Sequence, residues 1–481
     1  MLSLKTNYHF IGVGGIGMSG LAELLVRRGC RVSGSDLVVG PITRRLADLG
    51  VRVHQGHRAE NLADADIVVH TTAVKEDNPE LAAARAKGLT VLRRGQMLAR
   101  LMEGHQQIAI TGAHGKTSTT AMTAAILRAG GLDPTVVVGA VWDNLGSNAV
   151  LGRGEYFVAE SDESDGSFTY LSPQTTVVTN LDREHLDFYR DLAHIQETFA
   201  AYFRKLPASA RVIAWADDPH LKPVLRHHSG ELVTYSFNEN GADFRATDPE
   251  PQGLGYRFTL THRGRKLGQV TVPLAGSHYV LNAMAACAVG HSLGLDFPAW
   301  QAGLKSLGQI HRRCQVKGET RGITVLDDYG HHPTEIASTL MGLAQAFPQR
   351  RLVVAFQPHR YSRTAALLPE FFPVFARAGL VFITEIYAAS EKPLEGVSGR
   401  AICEGIRQSG HPAVHFVEEK NAVAEIIIEH LREGDLVLTL GAGDIWKTGE
   451  DLLDRLKGPE TGNRRTENGD FSPVSRPPSP V

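Results

Sequence analysis

The chain has 481 residues, of which 42% are hydrophobic and 21% are charged, and its formal net charge is -2. This length exceeds what one hydrophobic core organises and predicts about three domains. The near-neutral charge disfavours nucleic acid and anionic membranes as partners. The four cysteines lie far apart without a C-x-x-C, which excludes a zinc knuckle and a disulfide framework. With no signal-peptide pattern and no run of about 18 apolar residues, we expect a cytoplasmic protein that acts on small molecules.

Strand-like runs alternate with helix-like runs from the N-terminus onward, which is typical of βαβ units around a mainly parallel sheet. The strand-like runs are YHFIGV, CRVSGSD, ADIVVHTT and LTVLRR, and the helix-like runs include GMSGLAELLVRRG and ITRRLADLG. Together they predict a first α/β domain over residues 1–106.

A G-x-G-x-x-G motif, formed by Gly12, Gly14 and Gly17, follows the first strand. Such glycines permit a tight turn and let backbone amides approach a pyrophosphate at a helix N-terminus. Asp36, at the end of the next strand, lies where a ribose-binding acid is expected. The motif does not distinguish NAD from another nucleotide diphosphate, and it also occurs as simple turn chemistry.

A second strand-loop-helix start, QIAITGAHGKTSTTAM, predicts an ATP-binding loop. Lys116 is suited to contact the β- and γ-phosphates, and Thr117 can offer its hydroxyl to magnesium. The loop is shorter than a standard G-x-x-x-x-G-K-[ST], because only Ala113 and His114 separate Gly112 from Gly115.

Acidic and histidine side chains follow the next two strand-like runs, EYFVAE and TTVVTNL. Glu160 ends the first run and is expected to be a hard oxygen ligand for magnesium. Asp162, Glu163 and Asp165 follow it closely and are equally compatible with a solvated loop. His185 follows the second run, where a metal or phosphate role competes with a purely structural one.

The rest of the chain predicts the end of a central domain (107–313), a third α/β domain (314–457) and a tail. ELVTYSFNEN, FRATDPE, YRFTLTHRGR and QVTVPL predict an antiparallel appendage, and the helix NAMAACAVGHSLG is expected to close the central domain. The third domain is expected to begin near GITVLDDYGHHPTEIASTLMGLAQAF. Residues 458–481 are rich in Pro, Ser, Gly and charge, so we expect them to be disordered.

Two polar loops follow consecutive strands of the third domain. LDDYGHHPTE contains two aspartates, a tyrosine and two histidines, and FQPHRYSRT contains His359, Arg360 and Arg363. Guanidinium groups bind carboxylates and phosphates in two-point geometry. Because the carboxyl ends of parallel strands form ligand-binding edges, these loops predict a site for such anions.

In sequence order, GVGGIGMSGLAE, GSDL, DNPE, GAHGKTSTTAM, ESDESDGSF, TNLDREHLD, DDYGHHPTE and FQPHRYSRT resemble the motifs of the Mur ligase family of bacterial cell-wall synthesis. The resemblance spans about residues 8–457 and includes the short phosphate loop. It implies a Rossmann-like N-terminal domain, a central P-loop ATPase-like α/β domain with a small antiparallel appendage, and a Rossmann-like C-terminal domain. The implied reaction joins L-alanine to the lactoyl carboxylate of UDP-N-acetylmuramate through an acyl phosphate, with ATP converted to ADP.

The resemblance also implies residue roles. The UDP-sugar is assigned to Gly14, Gly15, Ile16, Gly17, Met18, Ser19, Asp36 and Thr72. ATP is assigned to Gly112, Ala113, His114, Gly115, Lys116, Thr117, Ser118, His278, Asn282, Arg313 and Asp328. Magnesium, at two sites and replaceable by manganese, is assigned to Thr117, Glu160 and His185. L-alanine is assigned to Tyr329, His331, His359, Arg360 and Arg363, and the implied catalytic residues are Lys116, Glu160, His185, Asp328 and His331. A monomer or weak homodimer is expected, without nucleic acid or membrane insertion.

Three positions depart from the family pattern. Tyr279 stands where Asn is usual, Glu184 where Asp is customary and Cys314 where Phe is common. Within the family, the alternative is a ligase that attaches a ready-made murein tripeptide, and GGIGMSG favours the alanine enzyme. Outside it, an NAD-dependent dehydrogenase leaves the ATP loop unexplained, and intact Lys116, Glu160 and His185 argue against a nucleotide sensor without catalysis.

Overall fold

The computed structural model describes residues 5–457, which form three sheets in chain order. The predicted three-part α/β architecture is confirmed. The predicted disordered tail, residues 458–481, lies outside the described residues. Among the helices of the described part, none combines the length and apolar character needed to cross a bilayer.

The first sheet has five parallel strands in the order β3-β2-β1-β4-β5. Its strands are β1 (Asn7–Ile11), β2 (Arg31–Asp36), β3 (Arg52–Gln55), β4 (Ile67–His70) and β5 (Thr90–Arg93). Its helices are α1 (Ile16–Arg27), α2 (Pro41–Asp48), α3 (Pro79–Ala86) and α4 (Arg94–Met102). The strand order reverses at β1, so the glycine loop after β1 lies at the switch point where such sheets bind ligands.

The central sheet has ten strands in the order β15-β14-β13-β12-β11-β10-β6-β9-β7-β8. Its strands are β6 (Gln106–Thr111), β7 (Thr135–Trp142), β8 (Ser147–Val150), β9 (Tyr156–Glu160), β10 (Thr175–Val178), β11 (Arg211–Trp215), β12 (Glu231–Ser236), β13 (Phe244–Gln252), β14 (Gly255–His262) and β15 (Arg265–Val272). Its helices are α5 (Lys116–Ala129), α6 (Leu192–Lys205), α7 (Lys222–Leu225), α8 (Ser277–Ser292) and α9 (Phe297–Lys305).

Two details of the predicted central domain are wrong. The run ELVTYSFNEN forms β12, which pairs parallel with both β11 and β13, so the antiparallel appendage comprises only the pairs of β13, β14 and β15. The composition of a strand does not show its direction. The connection from β11 to β12 through the short helix α7 lets the two strands run parallel. The helix α8 does not close the domain either, because α9 follows it and packs against α5.

The third sheet has six strands in the order β16-β17-β21-β18-β19-β20, of which only β16 is antiparallel to its neighbour. Its strands are β16 (Gln315–Thr320), β17 (Ile323–Asp328), β18 (Leu352–Phe356), β19 (Leu380–Thr384), β20 (Val414–Val417) and β21 (Leu436–Leu440). Its helices are α10 (Pro333–Ala346), α11 (Tyr361–Leu367), α12 (Gly399–Gln408), α13 (Val423–His430) and α14 (Trp446–Lys457). The strand β16 lies within the predicted bounds 314–457, but it precedes the first recognised strand pattern, GITVLDDYG, because its own sequence, QVKGET, has no clear strand pattern.

The first sheet's domain shares a hydrophobic core with the central sheet. Leu21 and Leu25 of α1 belong to the same buried cluster as Ala109 of β6 and Phe157 of β9. A buried polar contact adds to it, because Ser147 of β8 donates to the Glu23 carboxylate across 2.7 Å. The glycine loop before α1 is therefore fixed relative to the phosphate loop after β6.

The close packing of α9 on α5 yields the first prediction. A Cβ atom at Gly303 would lie 2.6 Å from the Ile126 Cα, which is backbone and cannot rotate away. Gly303→Ala is therefore expected to destabilise the central domain by about 1–3 kcal/mol through overpacking. Urea unfolding followed by fluorescence of Trp142, Trp215 and Trp300 measures this, since all three lie in the central domain.

Gly241→Ala is the matched control, because no atom of the described chain lies within 4 Å of a Cβ built at Gly241. Equal unfolding midpoints for Gly303→Ala and the unchanged protein would contradict the packing argument.

Candidate active site

The phosphate loop connects the end of β6 to the start of α5 with left-handed backbone at two glycines. Gly112 has φ 122° and Gly115 has φ 80°. A Cβ at Gly115 would also lie 2.6 Å from Asn282 Oδ1 of α8, so the loop depends on glycine for both conformation and space. This close approach sets Asn282 directly against the loop, as expected for residues of one nucleotide site.

Lys116 is held at the start of α5 by three oxygen acceptors. Its ammonium donates to the carbonyls of Gly112 (2.7 Å) and Ala113 (2.9 Å) and to Glu163 Oε1 (2.9 Å). Burial opposes the charge, but the carboxylates of Glu163, Asp162 and Glu160 together outweigh burial and raise the pKa of Lys116. The lysine is therefore charged and oriented along the loop.

Glu163 is a functional candidate that the sequence left among three acidic residues of one loop. It is buried, and the same Oε1 lies 3.0 Å from His185 Nε2. Burial lowers the pKa of His185, but the hydrogen bond to Glu163 and the negative charges of Glu163 and Glu184 together outweigh burial and raise this pKa. The spacing of ESDESD could not select Glu163, because only the fold sets its carboxylate between Lys116 and His185.

The residues assigned to magnesium offer a matching set of donors. Thr117 is buried and its hydroxyl accepts from Arg313 Nη2 at 3.2 Å, while Glu160 accepts from the Gly139 amide at 2.7 Å. Glu163 Oε2 is buried and has no hydrogen-bond partner among the described residues. Hard oxygen donors with one unpaired carboxylate oxygen fit a magnesium ion.

A second group of predicted ATP residues lies around Arg313. Asp328 ends β17 and accepts from the amides of Cys314 and Gly330, each at 2.8 Å. Burial raises the pKa of Asp328. The Arg313 guanidinium lies 5.2 Å from the centre of the Tyr329 ring, which gives Tyr329 a place beside the nucleotide residues.

His278 of α8 is partly buried here, and the two unusual residues nearby are buried. Burial lowers the pKa of His278 to about 4, so its ring is neutral. Tyr279 is buried and interacts with Cys314. The two departures from the family pattern, Tyr279 and Cys314, therefore lie in contact with each other.

Arg360 and Arg363, two of the five predicted amino-acid residues, line a cleft between the central and C-terminal domains. The cleft has a volume of about 130 Å³, and its lining includes Glu184, His185, Asp187, Arg360 and Arg363. Arg363 Nε donates to Glu184 Oε1 at 2.8 Å, and Arg360 Nη1 donates to Asp187 at 2.6 Å. Glu184, one methylene longer than the customary Asp, is thus a partner of Arg363.

Two further predicted histidines lie beside this cleft. His331 Nε2 is 3.6 Å from Glu184 Oε2, and the His331 and His359 rings lie 6.0 Å apart. The His359 ring also stacks on Tyr387 at 5.6 Å. Burial and the neighbouring His331 lower the pKa of His359 to about 3, so this imidazole is neutral.

Four of the ten non-glycine residues with positive φ in the described part of the chain lie near these groups. His185 has φ 53°, Arg312 φ 62°, Cys314 φ 43° and Arg360 φ 68°. Such conformations cost free energy, and they persist at functional sites where the surroundings enforce them.

His114 of the phosphate loop joins the central domain to α10. Its Nε2 lies 2.9 Å from Asp182 Oδ2, and its Nδ1 lies 3.2 Å from Glu335 Oε1. Burial alone lowers the pKa of His114, but hydrogen bonds to Asp182 and Glu335 outweigh it and raise the pKa to about 10. An imidazolium between two carboxylates therefore connects the two domains.

The glycine loop after β1 lies apart from these groups but is linked to them. Asp36 accepts from the Gly14 amide at 2.9 Å, which orients its carboxylate toward the loop. Of the other predicted UDP-sugar residues, Met18 and Ser19 are buried in α1 and Thr72 is exposed.

Arg94, which the sequence did not single out, bridges the two loops. Its Cδ lies 3.0 Å from where a Cβ of Gly17 would be, and its Nη2 donates to Asp162 at 2.9 Å. It thereby connects the glycine loop to the acidic loop of the ATP site. An arginine directly after a strand end was the only signal in the sequence.

Family models match the chain in three consecutive segments. The Mur ligase family catalytic domain matches residues 7–106, the Mur ligase middle domain 110–290, and the Mur ligase glutamate ligase domain 312–443.

Similar proteins cover nearly the whole chain. The UDP-N-acetylmuramate--L-alanine ligase of Syntrophobacter fumaroxidans is 48% identical over 95% of this chain and 97% of its own length. The crystal structure of the UDP-N-acetylmuramate-alanine ligase of Thermotoga maritima superposes with a TM-score of 0.81 at 29% identity, covering 94% of this chain and 99% of that one. A murein peptide ligase of Psychrobacter arcticus shares the fold, with a TM-score of 0.69 at 24% identity, covering 94% of this chain and 99% of that one.

The elevated pKa of His114 predicts how stability depends on pH. Because the folded pKa, about 10, exceeds the ordinary value of 6.5, the stabilisation is complete below pH 6.5 and is lost as pH rises toward 10. The difference in melting temperature between the unchanged protein and His114→Gln is therefore expected to shrink across that window. Thermal melts at several pH values within it measure the difference.

His430→Gln controls for the loss of an exposed histidine in the same chain. A difference for His114→Gln that stays constant with pH would show that His114 is not held as an imidazolium.

Proposed function

The chain belongs to the Mur ligase family, and on this premise we propose that it joins L-alanine to the lactoyl carboxylate of UDP-N-acetylmuramate, driven by conversion of ATP to ADP and phosphate. The observation that carries the proposal is identity of 46–48% to UDP-N-acetylmuramate--L-alanine ligases across at least 93% of this chain. The resulting product is a precursor of peptidoglycan.

The reaction requires an activated carboxylate, because a carboxylate anion is a poor electrophile. Its oxygen takes the γ-phosphoryl group of ATP to give an acyl phosphate and ADP. The alanine amine then attacks the carbonyl carbon, and the tetrahedral intermediate expels phosphate to leave the amide. The amine loses one proton in this sequence, so the site must accept it.

Lys116 is proposed to stabilise negative charge on the transferring phosphoryl group. Its orientation by Gly112 and Ala113 means that little reorganisation is needed when ATP enters. Nucleotide phosphates would replace Glu163 as the partner of its ammonium. Thr117, Glu160 and His185 would hold magnesium, which supplies Lewis-acid charge stabilisation when bound.

The C-terminal cleft is proposed to bind the incoming amino acid. Its volume of about 130 Å³ suits one small amino acid better than a tripeptide. Arg360 and Arg363 are the candidate partners of the alanine carboxylate, and His331 and His359 line its approach. Since Glu184 already engages Arg363, the more exposed Arg360 is the readier of the two to exchange Asp187 for a substrate carboxylate.

The glycine loop after β1 is proposed to hold the UDP-sugar pyrophosphate rather than a nicotinamide dinucleotide. A dehydrogenase built on this domain alone would give no role to the phosphate loop or to the arginines of the third domain. The ligase reaction uses all three sites.

The direct test measures phosphate release by the purified chain with ATP, magnesium and UDP-N-acetylmuramate. Release is expected with L-alanine, to a smaller extent with glycine or L-serine, and not with the murein tripeptide. Lys116→Ala is expected to abolish release while UDP-sugar binding stays nearly intact, because the two nucleotides are assigned to different domains.

Tripeptide-dependent release without alanine-dependent release would select the alternative ligase. A loss of UDP-sugar affinity in Lys116→Ala as large as the loss of turnover would contradict the division of the two nucleotide sites.

Amino-acid recognition gives a separate prediction. Lysine cannot reproduce the two-point geometry of guanidinium on a carboxylate. Arg360→Lys or Arg363→Lys is therefore expected to raise the KM for L-alanine by roughly 10- to 150-fold, from about 1.5 to 3 kcal/mol of lost charged hydrogen bonding, while the KM for ATP changes little. Steady-state kinetics with each substrate varied in turn measures both constants.

Arg377→Lys is the control, because Arg377 is an exposed arginine of the same domain. An unchanged alanine KM in both active-site variants would mean that other residues hold the carboxylate.

A further inference from the structure

Three side chains converge where the phosphate loop faces α10, and the proposed ligation uses none of their converging atoms. His114 and Asp182 belong to the central domain, and His332 precedes α10 in the C-terminal domain. One nitrogen of each histidine and one oxygen of Asp182 lie within 4.8 Å of one another. His114 Nε2 is 2.9 Å and His332 Nδ1 is 3.5 Å from Asp182 Oδ2.

The outer nitrogen of each imidazole already has an oxygen acceptor. His114 Nδ1 faces Glu335 Oε1 at 3.2 Å, and His332 Nε2 faces the Arg183 carbonyl at 3.3 Å. Histidines that bind metals commonly donate their second nitrogen to a carboxylate or a backbone carbonyl, which fixes the ring and its tautomer. Both rings of the cluster have this arrangement.

The tautomer of His332 follows from a second contact. The Thr334 amide donates to His332 Nδ1 at 3.3 Å, so the proton lies on Nε2 and the lone pair on Nδ1, where a cation would replace the Thr334 amide as its partner. The Thr334 hydroxyl donates to Asp182 Oδ2 at 2.7 Å and so orients the carboxylate. The cluster therefore offers an oriented imidazole and an oriented carboxylate beside His114.

The separations suit a small cation with few ligands. Donors that lie about 2.1 Å from a tetrahedral zinc ion are about 3.4 Å from one another. The separation of 3.5 Å between His332 Nδ1 and Asp182 Oδ2 is close to this value, whereas the hydrogen bond of 2.9 Å from His114 Nε2 would lengthen around a cation. The His332 side chain is buried, which limits competition from water.

We propose that His114, Asp182 and His332 form a binding site for a zinc-type transition-metal cation. Two imidazole nitrogens and one carboxylate favour zinc, cobalt or nickel over magnesium. The cation takes the position of the proton that His114 Nε2 shares with Asp182, and one coordination position is left for water. The site shares no residue with the magnesium set of Thr117, Glu160 and His185.

A cation in this position would join the central and C-terminal domains directly. His114 is part of the phosphate loop, and His332 precedes the helix that begins beside the amino-acid residues. Bound metal is therefore expected to stabilise the contact between the phosphate loop and α10, and to raise the melting temperature as any ligand of the folded state does.

The test titrates the nucleotide-free full-length protein with cobalt and monitors binding by visible absorption. A second titration, with zinc, is monitored by calorimetry. One cobalt site of low coordination number is expected. His332→Gln should weaken cobalt binding at least roughly 10-fold, because it removes a ligand. Glu335→Gln should weaken it by roughly 10- to 100-fold, because the carboxylate that orients the His114 ring is lost.

Two variants distinguish this site from other histidines. His291→Gln, which alters a histidine 4.3 Å from His262 in ring-to-ring distance, should bind cobalt as the unchanged protein does. His185→Gln, which removes a proposed magnesium ligand, should also retain the cobalt spectrum. Loss of the spectrum in His185→Gln, or its retention in His332→Gln, would overturn the proposal.

If His332→Gln folds poorly, Asp182→Asn serves as the second variant that lacks a ligand, and its melting temperature is measured with and without zinc. Zinc should raise the melting temperature of the unchanged protein and of His291→Gln but not that of Asp182→Asn. An equal rise in all three would place zinc elsewhere and contradict the site.

Discussion

The candidate active site depends on one constraint, which is that a buried ammonium must have compensating partners. Lys116 meets this requirement with two carbonyls of its own loop and with Glu163. Glu163 in turn holds His185, so one carboxylate oxygen connects the phosphate loop to the loop after β10. The proposed nucleotide site is thereby organised by the protein's own side chains.

The two outer domains contact the central one by different physical means. The N-terminal domain shares an apolar core with the central sheet, through residues such as Leu21, Leu25 and Phe157. The C-terminal domain contacts it through several ion pairs, including Glu184–Arg363, Asp187–Arg360 and Arg183–Glu370, in addition to apolar packing of Ala275 in the buried cluster of the third sheet. Charged contacts of this kind can exchange partners for substrates, whereas an apolar core cannot, so the proposed amino-acid site lies where exchange is possible.

Histidine chemistry in this region is set by the neighbours of each ring. His114 lies between two carboxylates and has a raised pKa, whereas burial and a nearby histidine lower that of His359. At neutral pH the His114 ring is therefore positively charged, whereas the His359 ring is neutral. The proposed cation site and the proposed amino-acid site differ for this reason, although both are built from histidines at the same domain boundary.

The sequence by itself determined the features that depend on local chain geometry. Gly112 and Gly115 are needed for a left-handed turn, so the phosphate loop could be predicted, as could the glycine loop after β1. Alternating strand and helix patterns require parallel sheets, so the fold class could be predicted as well. The departure at Glu184 was also visible in the sequence, but its partner was not.

Only the tertiary structure decided which side chains meet. Glu163 could not be chosen from its acidic neighbours, because Lys116 lies 47 positions earlier in the chain. The pair of Glu184 and Arg363 spans 179 positions, and Arg94 reaches Asp162 across 68. The antiparallel direction that was predicted for β12 from its composition alone was likewise wrong. Contacts of this kind depend on how the sheets pack, and a local residue pattern contains no information about the partner that packing brings.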